Sequence, residues 1–181
     1  MKENTQEKQE LPELVKGIPT GKLAIAQRRE IVEREYNKLL EKLGKKQGKK
    51  KHFVRNDFLN VDVEIIKRES FAKASNASVK KWQSTYAVTF LEQIIKKSVA
   101  KEGFPIYNPP KSKGMQERFG YCNTATLYFD FVDTEKEYLN FTIEIVFGIK
   151  HNGRHVQYAI LEIDLAKKRE DIEKRKSLIS T

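Results

Sequence analysis

One cysteine, three histidines and a single tryptophan are all that this chain of 181 residues contains of those types, and each shortage closes a class of chemistry. With Cys122 alone, no intramolecular disulfide forms and cysteine-based zinc fingers are excluded. His52, His151 and His155 make no Cys/His metal set, and HExxH is missing. A Walker loop, a dinucleotide glycine fingerprint and a GxSxG elbow are missing too. No cofactor and no metal are expected. No run approaches the roughly 18 apolar residues of a membrane span, and the opening MKENTQEKQE has no apolar centre of the kind secretion signals carry. The expectation is a cytoplasmic protein without membrane contact.

Positive charge is what the chain has in excess. Thirty-five lysines and arginines face 25 aspartates and glutamates, a formal net charge of +10. A cationic surface favours polyanions, so RNA or DNA is the expected partner, with an acidic protein as the alternative. Hydrophobic residues at 39% and this length suffice for one buried core.

The longest regular pattern runs from Gly120 to Leu165. Leu127, Phe129 and Phe131 alternate with polar neighbours, and Phe141, Ile143, Ile145 and Phe147 repeat the alternation after the break DTEKEY. Asn152-Gly153 then separates that run from Val156–Ile163. Period-two alternation sends side chains to opposite faces of a strand, and Asn-Gly suits a tight type I′ hairpin. The pattern predicts an antiparallel C-terminal β-meander, with Val61, Val63 and Ile65 as a short fourth strand.

Helices are expected before it. Val32, Tyr36, Leu39 and Leu43 share one face of a helix over 22–43, with Arg28, Arg29, Glu33 and Lys42 on the other. Thr20 stands as its N-cap and Gly44 at its end. A short helix is read over 68–81, interrupted near Ser75-Asn76. A longer one spans 85–101, with Ser84 as N-cap and Gly103 just past its end. The fold class is therefore α+β, N-terminal helices packed on one antiparallel sheet of three to four strands. Residues 1–16 read as a disordered lead, 17–165 as a single domain, and 166–181 as a charged C-terminal tail or short helix.

Two stretches concentrate the charge. GKKQGKKKH places Lys45, Lys46, Lys49, Lys50 and Lys51 in one exposed loop. Residues 104–122 read as a long mobile loop in which Lys111, Lys113 and Arg118 mingle with Phe104, Tyr107, Phe119 and Tyr121, suiting phosphate contact and base stacking. Trp82 is expected in the core and Cys122 as a small buried hydrophobe. Metal-free RNA cleavage needs a base, an acid and a cation, which His, Lys, Arg and Tyr can supply. His155 is the candidate acid/base. In a regular strand, however, Arg154 and Tyr158 point to the opposite face from it, unless a bulge intervenes.

Four stretches, GIPTGKLAIAQRREIVEREY, NVDVEIIKRESFAKAS, STYAVTFLEQIIKKSV and HVQYAILEID, carry a resemblance in that order. They resemble small domains borne by bacterial phages and conjugative elements as pieces of large polyvalent proteins. Related domains have nuclease-like folds similar to barnase, the colicin ribonucleases and RelE, with helices first and a curved antiparallel sheet after. The resemblance implies a metal-independent ribonuclease-like domain, or an inactive derivative that binds RNA or DNA. No catalytic set of such nucleases aligns with this chain, so none is carried over.

Overall fold

The expected meander is the centre of the molecule. In the computed structural model, which describes residues 10–47, 52–71 and 76–179, its strands are β6 (Tyr121–Phe131), β7 (Phe141–Lys150) and β8 (His155–Ile163). Three shorter strands extend the sheet, β3 (Phe53–Asn56), β4 (Val61–Glu64) and β5 (Tyr107–Asn108). The order is β3-β4-β8-β7-β6-β5. The architecture is α+β, but the sheet has six strands and is mixed, since β4 lies parallel to β8 with Val63 beside His155. A second, two-stranded sheet joins β1 (Leu14–Val15) and β2 (Ile18–Pro19). Val15 and Ile18 are buried in it, so structure begins inside the stretch read as a lead.

Asn152 and Gly153 do turn the chain, though not as type I′. Only Gly153 has positive φ (80°). The Gly153 N–H donates to the Lys150 carbonyl at 2.8 Å and Lys150 N–H to that of Arg154 at 2.9 Å. This is a three-residue loop closing on a left-handed glycine.

One face of the sheet is covered by α1 (Ile25–Gln47), α2 (Trp82–Val88) and α3 (Leu91–Lys97). Val32, Tyr36 and Leu43 of α1 pack with Ala87, Val88, Leu91, Ile94 and Ile95 against Val63, Leu127, Ile143, Ile145, Phe147 and Ile160. The helix expected over 85–101 is two short helices that part at Thr89-Phe90. Ser84 is no cap; its buried Oγ accepts the N–H of Glu162 at 2.7 Å. Thr20 caps nothing either, because its hydroxyl donates back to Pro12 and Glu13 carbonyls. The segment read as a helix over 68–81 begins instead as a π-helical turn, Lys67–Phe71.

Trp82 lies in a second core cluster with Val15, Ile18, Ile31, Tyr86 and Leu139. Arg28, read as a surface residue, is 1% exposed. Its guanidinium donates to the carbonyls of Val79 (2.7 Å), Pro19 (3.0 Å), Gly21 (2.7 Å) and Lys80 (3.4 Å). Spacing alone put it opposite the apolar stripe, but the neighbours of α1 curl round to meet it.

The opposite, outer face carries α4 (Lys113–Phe119) and α5 (Leu165–Ile179). The supposed mobile loop over 104–122 is thus largely structured, holding β5, α4 and the start of β6. Gly120 ends α4 in the left-handed conformation (φ 67°). Met115 and Phe119 of α4 pack with Tyr121, Val156, Tyr158 and Ala159. Cys122 is exposed, not buried. A register shift opposes Val146 to Ala159 and Phe147 to Gln157, so Tyr158 is the extra residue of a bulge. The bulge sends Tyr158 and Ala159 both to the outer cluster, while Gln157 and Ile160 face the helices. Tyr36 Oη donates to Gln157 Oε1 at 2.7 Å there. Among the described residues, no helix is long and apolar enough to cross a membrane.

Two substitutions test this packing by urea denaturation. Arg28→Ala removes four hydrogen bonds to backbone carbonyls and lowers stability by about 3 kcal/mol, with Arg28→Lys recovering part of the loss; a loss within error of zero contradicts the assignment. The ring of Tyr121 covers Gly148 so closely that a Cβ there stands 2.5 Å from it. Gly148→Ala is therefore destabilising by about 1–3 kcal/mol, and Tyr121→Ala relieves that clash in the double variant.

Candidate functional site

Burial treats the two faces of the sheet differently. The helical face is mainly apolar, with Gln157 and Asn56 as buried exceptions, whereas alternate residues of β6 and β7 place Thr124, Thr126, Tyr128 and Glu144 on the outer face, all buried. Buried polar groups need partners: Thr124 Oγ donates to the Asn108 carbonyl at 2.9 Å, and two lysines meet the buried carboxylates. At one end, Glu69 accepts from Tyr121 Oη at 2.6 Å and from Lys150 Nζ at 2.9 Å. Burial first, then the bond to Glu69, drives the Tyr121 phenol well above its ordinary pKa, so it stays a donor. At the other, Lys168 of α5 pairs with Glu144 and donates to Tyr128 Oη at 2.8 Å.

Beside the second cluster lies a cleft of about 400 Å³ between α5, the sheet and the segment before α4. Thr126 and Glu144 contribute from the sheet. Lys111 and Asn108 come from the β5 side, and Lys167, Lys168, Asp171 and Arg175 from α5. Lys81, Glu162 and Asp164 also line it. Lys168 is neutralised by Glu144 and Lys81 by Glu162. Asp164 caps α5, accepting the Lys167 N–H at 3.1 Å. Lys111, Lys167 and Arg175 make no ion pair among the described residues. They leave this cavity lined with three unneutralised cations against Asp164 and Asp171.

The residues singled out in the sequence do not gather here as a set. Lys111 lines the cleft. Lys113 opens α4, and Arg118 near its end sits with its guanidinium 5.5 Å over the Phe119 ring. Lys45 and Lys46 end α1, with Lys45 paired to Glu41 at 2.6 Å; Lys49, Lys50 and Lys51 lie outside the described residues. Because α1 and α4 cover opposite faces, Lys45 and Lys46 lie across the sheet from Lys113 and Arg118. Of the four aromatics expected to stack on bases, Phe104 and Tyr121 are buried and Phe119 is half-buried in the outer cluster, leaving Tyr107 at 54% exposure. Lys167 and Arg175 were hidden in the charged tail. Their signal is helical spacing, since Lys167, Asp171 and Arg175 fall at i, i+4 and i+8.

His155 begins β8 and its Nδ1 lies 3.0 Å from the Gly153 carbonyl. The bulge does not unite it with Tyr158. Alternation sets His155 on the side of Gln157, towards α1, while Tyr158 belongs to the outer cluster. Arg154 pairs with Glu64. Among the described residues, no group of three or more His, Cys, Asp or Glu side chains is placed to hold a metal ion. Compared with protein-family models, curated proteins and solved structures, the chain matches none.

Partial burial holds the His155 pKa below the usual 6.5, with the Gly153 carbonyl opposing the shift. A depressed folded-state value means the unfolded chain binds the proton more readily. The associated stability is present above about pH 6.5 and lost as pH falls. His155→Gln accordingly flattens the acid side of a plot of urea midpoint against pH. An unchanged slope removes His155 from that dependence.

Proposed function

We propose that this protein is a basic, nucleic-acid-interacting domain that seats a phosphodiester backbone along the cleft between α5 and the outer sheet face. The observation that carries the reading is the grouping of Lys111, Lys167 and Arg175 around one cavity, without ion pairs among the described residues, on a chain of net charge +10. The resemblance to phage and conjugative-element domains points to the same partner. The physical logic is that of phosphate contact. Cations on separate elements follow a charged backbone, release its counterions and read no base. The cleft's lining exceeds neutrality by a single charge, so the wider field of the protein supplies much of the attraction. Binding of this kind is weak, on the order of micromolar or weaker, and steeply salt-dependent. His155 does not line the cleft and is not one of the phosphate contacts, and no residue is assigned a part in hydrolysis.

Fluorescence anisotropy with short RNA, single-stranded DNA and duplex DNA over a salt series tests the proposal. Wild type binds at low salt and weakens steeply as salt rises. Replacing Lys111, Lys167 and Arg175 together by alanine lowers affinity about tenfold or more, and reduces the slope of log K against log salt by about 2 for a single strand. Unchanged affinity in the triple variant overturns the site. Failure of wild type to bind any of the three polymers overturns the function and leaves an acidic protein as the partner to seek.

A further inference from the structure

The recess around Lys168 Nζ has the composition of an ammonium-binding box. The nitrogen stands 5.0 Å from the Tyr128 ring centre and 5.8 Å from that of Phe104, and the two rings lie 5.5 Å apart, tilted by 51°. Tyr128 Oη accepts from it at 2.8 Å and the Glu144 carboxylate completes the enclosure. All three walls are buried, with Phe104 and Glu144 at 6% exposure and Tyr128 at 1%. The Phe104 ring, a carboxylate and the Tyr128 phenol oxygen together select a cation with an apolar stem.

The source of that cation sets this box apart from its neighbour. In the Glu69–Tyr121 cluster the ammonium belongs to Lys150, part of the central strand β7 and fixed by the sheet. Lys168 arrives on α5, which buries none of its residues completely. Leu165 and Ile172 are only half-buried on that helix, and Arg169 adds a guanidinium 5.5 Å from the Phe104 ring centre. The box is built by the sheet and the loop at Phe104, but filled by a peripheral helix. An unpaired carboxylate as buried as Glu144 is costly, so the box demands a cation without requiring that it be this one.

We propose that Phe104, Tyr128 and Glu144 form a binding site for a primary alkylammonium group, closed in cis by Lys168, which takes an ammonium from another molecule when α5 lifts. The adjoining cleft shares Glu144 and Lys168 with the box and gives an incoming stem its route. The ligand chemistry is that of a lysine side chain on a peptide or of a polyamine; the buried carboxylate rejects neutral and anionic ligands. The inference does not rest on nucleic-acid binding.

The test is calorimetric titration of Lys168→Ala in the full chain with n-butylammonium, and with n-butanol as the neutral control. Lys168→Ala binds the amine saturably and at least about tenfold more tightly than wild type, whose own lysine competes at high effective concentration. Adding Glu144→Gln abolishes that binding. Nα-acetyl-lysine amide and spermidine, titrated in parallel, show which source the site prefers. No saturable binding, or equal binding of butanol, overturns the proposal. Where the alanine variant is too unstable to titrate, its melting temperature and that of Lys168→Met should rise with butylammonium and not with butanol; absence of that rescue overturns it equally.

Discussion

A guanidinium buried without a carboxylate partner among the described residues holds the helical layer in place. Arg28 reaches the carbonyls of Pro19 and Gly21 ahead of α1, and those of Val79 and Lys80 ahead of α2. Carbonyls at the ends of elements lack a full set of helix or ladder partners, and buried ones are costly to leave unpaired. One planar group with five donors satisfies four of them at once and stays charged while doing so. The β1–β2 hairpin, the start of α1 and the approach to α2 thereby meet at one side chain. The placement of Trp82 and Tyr86 against Phe131 and Phe141 follows from that meeting.

The sheet behind those helices has two faces with different rules. Towards the helices, Leu127, Ile143, Ile145 and Phe147 are fully buried and apolar. On the outer face, two carboxylates are buried: Glu69 accepts from Lys150 and the Tyr121 hydroxyl, and Glu144 pairs with Lys168, which also donates to the Tyr128 hydroxyl. Both clusters order the layer that covers them. Glu69 ties the π-helical turn to β6 and β7, and Glu144 ties α5 to β7. Burying each ion pair carries a desolvation cost that offsets its attraction, but losing one partner costs more still, because the other charge is left buried and unpaired. The cleft exists because α5 is held off the sheet by such polar contacts instead of packing down with an apolar stripe.

Much of this was legible in advance because it is periodic. Alternation in 127–131 and 141–147, with the Asn152-Gly153 turn before the apolar run 156–163, located the meander, and the i, i+4, i+11 spacing of Val32, Tyr36 and Leu43 located the apolar side of α1. Three things were not legible. The break at Thr89-Phe90 divides one apolar stripe into two helices, and the stripe itself does not show it. The segment at 104–122 was read from its prolines and glycines as mobile, whereas Met115 and Phe119 find a hydrophobic patch on Tyr121, Val156 and Tyr158. The cleft drew one of its members, Lys111, from the residues marked for phosphate contact. Lys167 and Arg175 come from a stretch whose mixed charge left a short helix and a frayed tail both open, and which is helical over Leu165–Ile179.

The chain by itself determined its class, its net charge and which residues of the long helix and of the meander share a side, because local spacing fixes the direction of a side chain. It could not determine what meets that side. The parallel seat of β4 against β8, the bulge at Tyr158, the burial of Arg28 and the pairing of Lys168 with Glu144 all join residues far apart in sequence. Only tertiary structure decides such contacts, since a side chain's energy depends on the neighbours that enclose it, and those neighbours are assembled by folding.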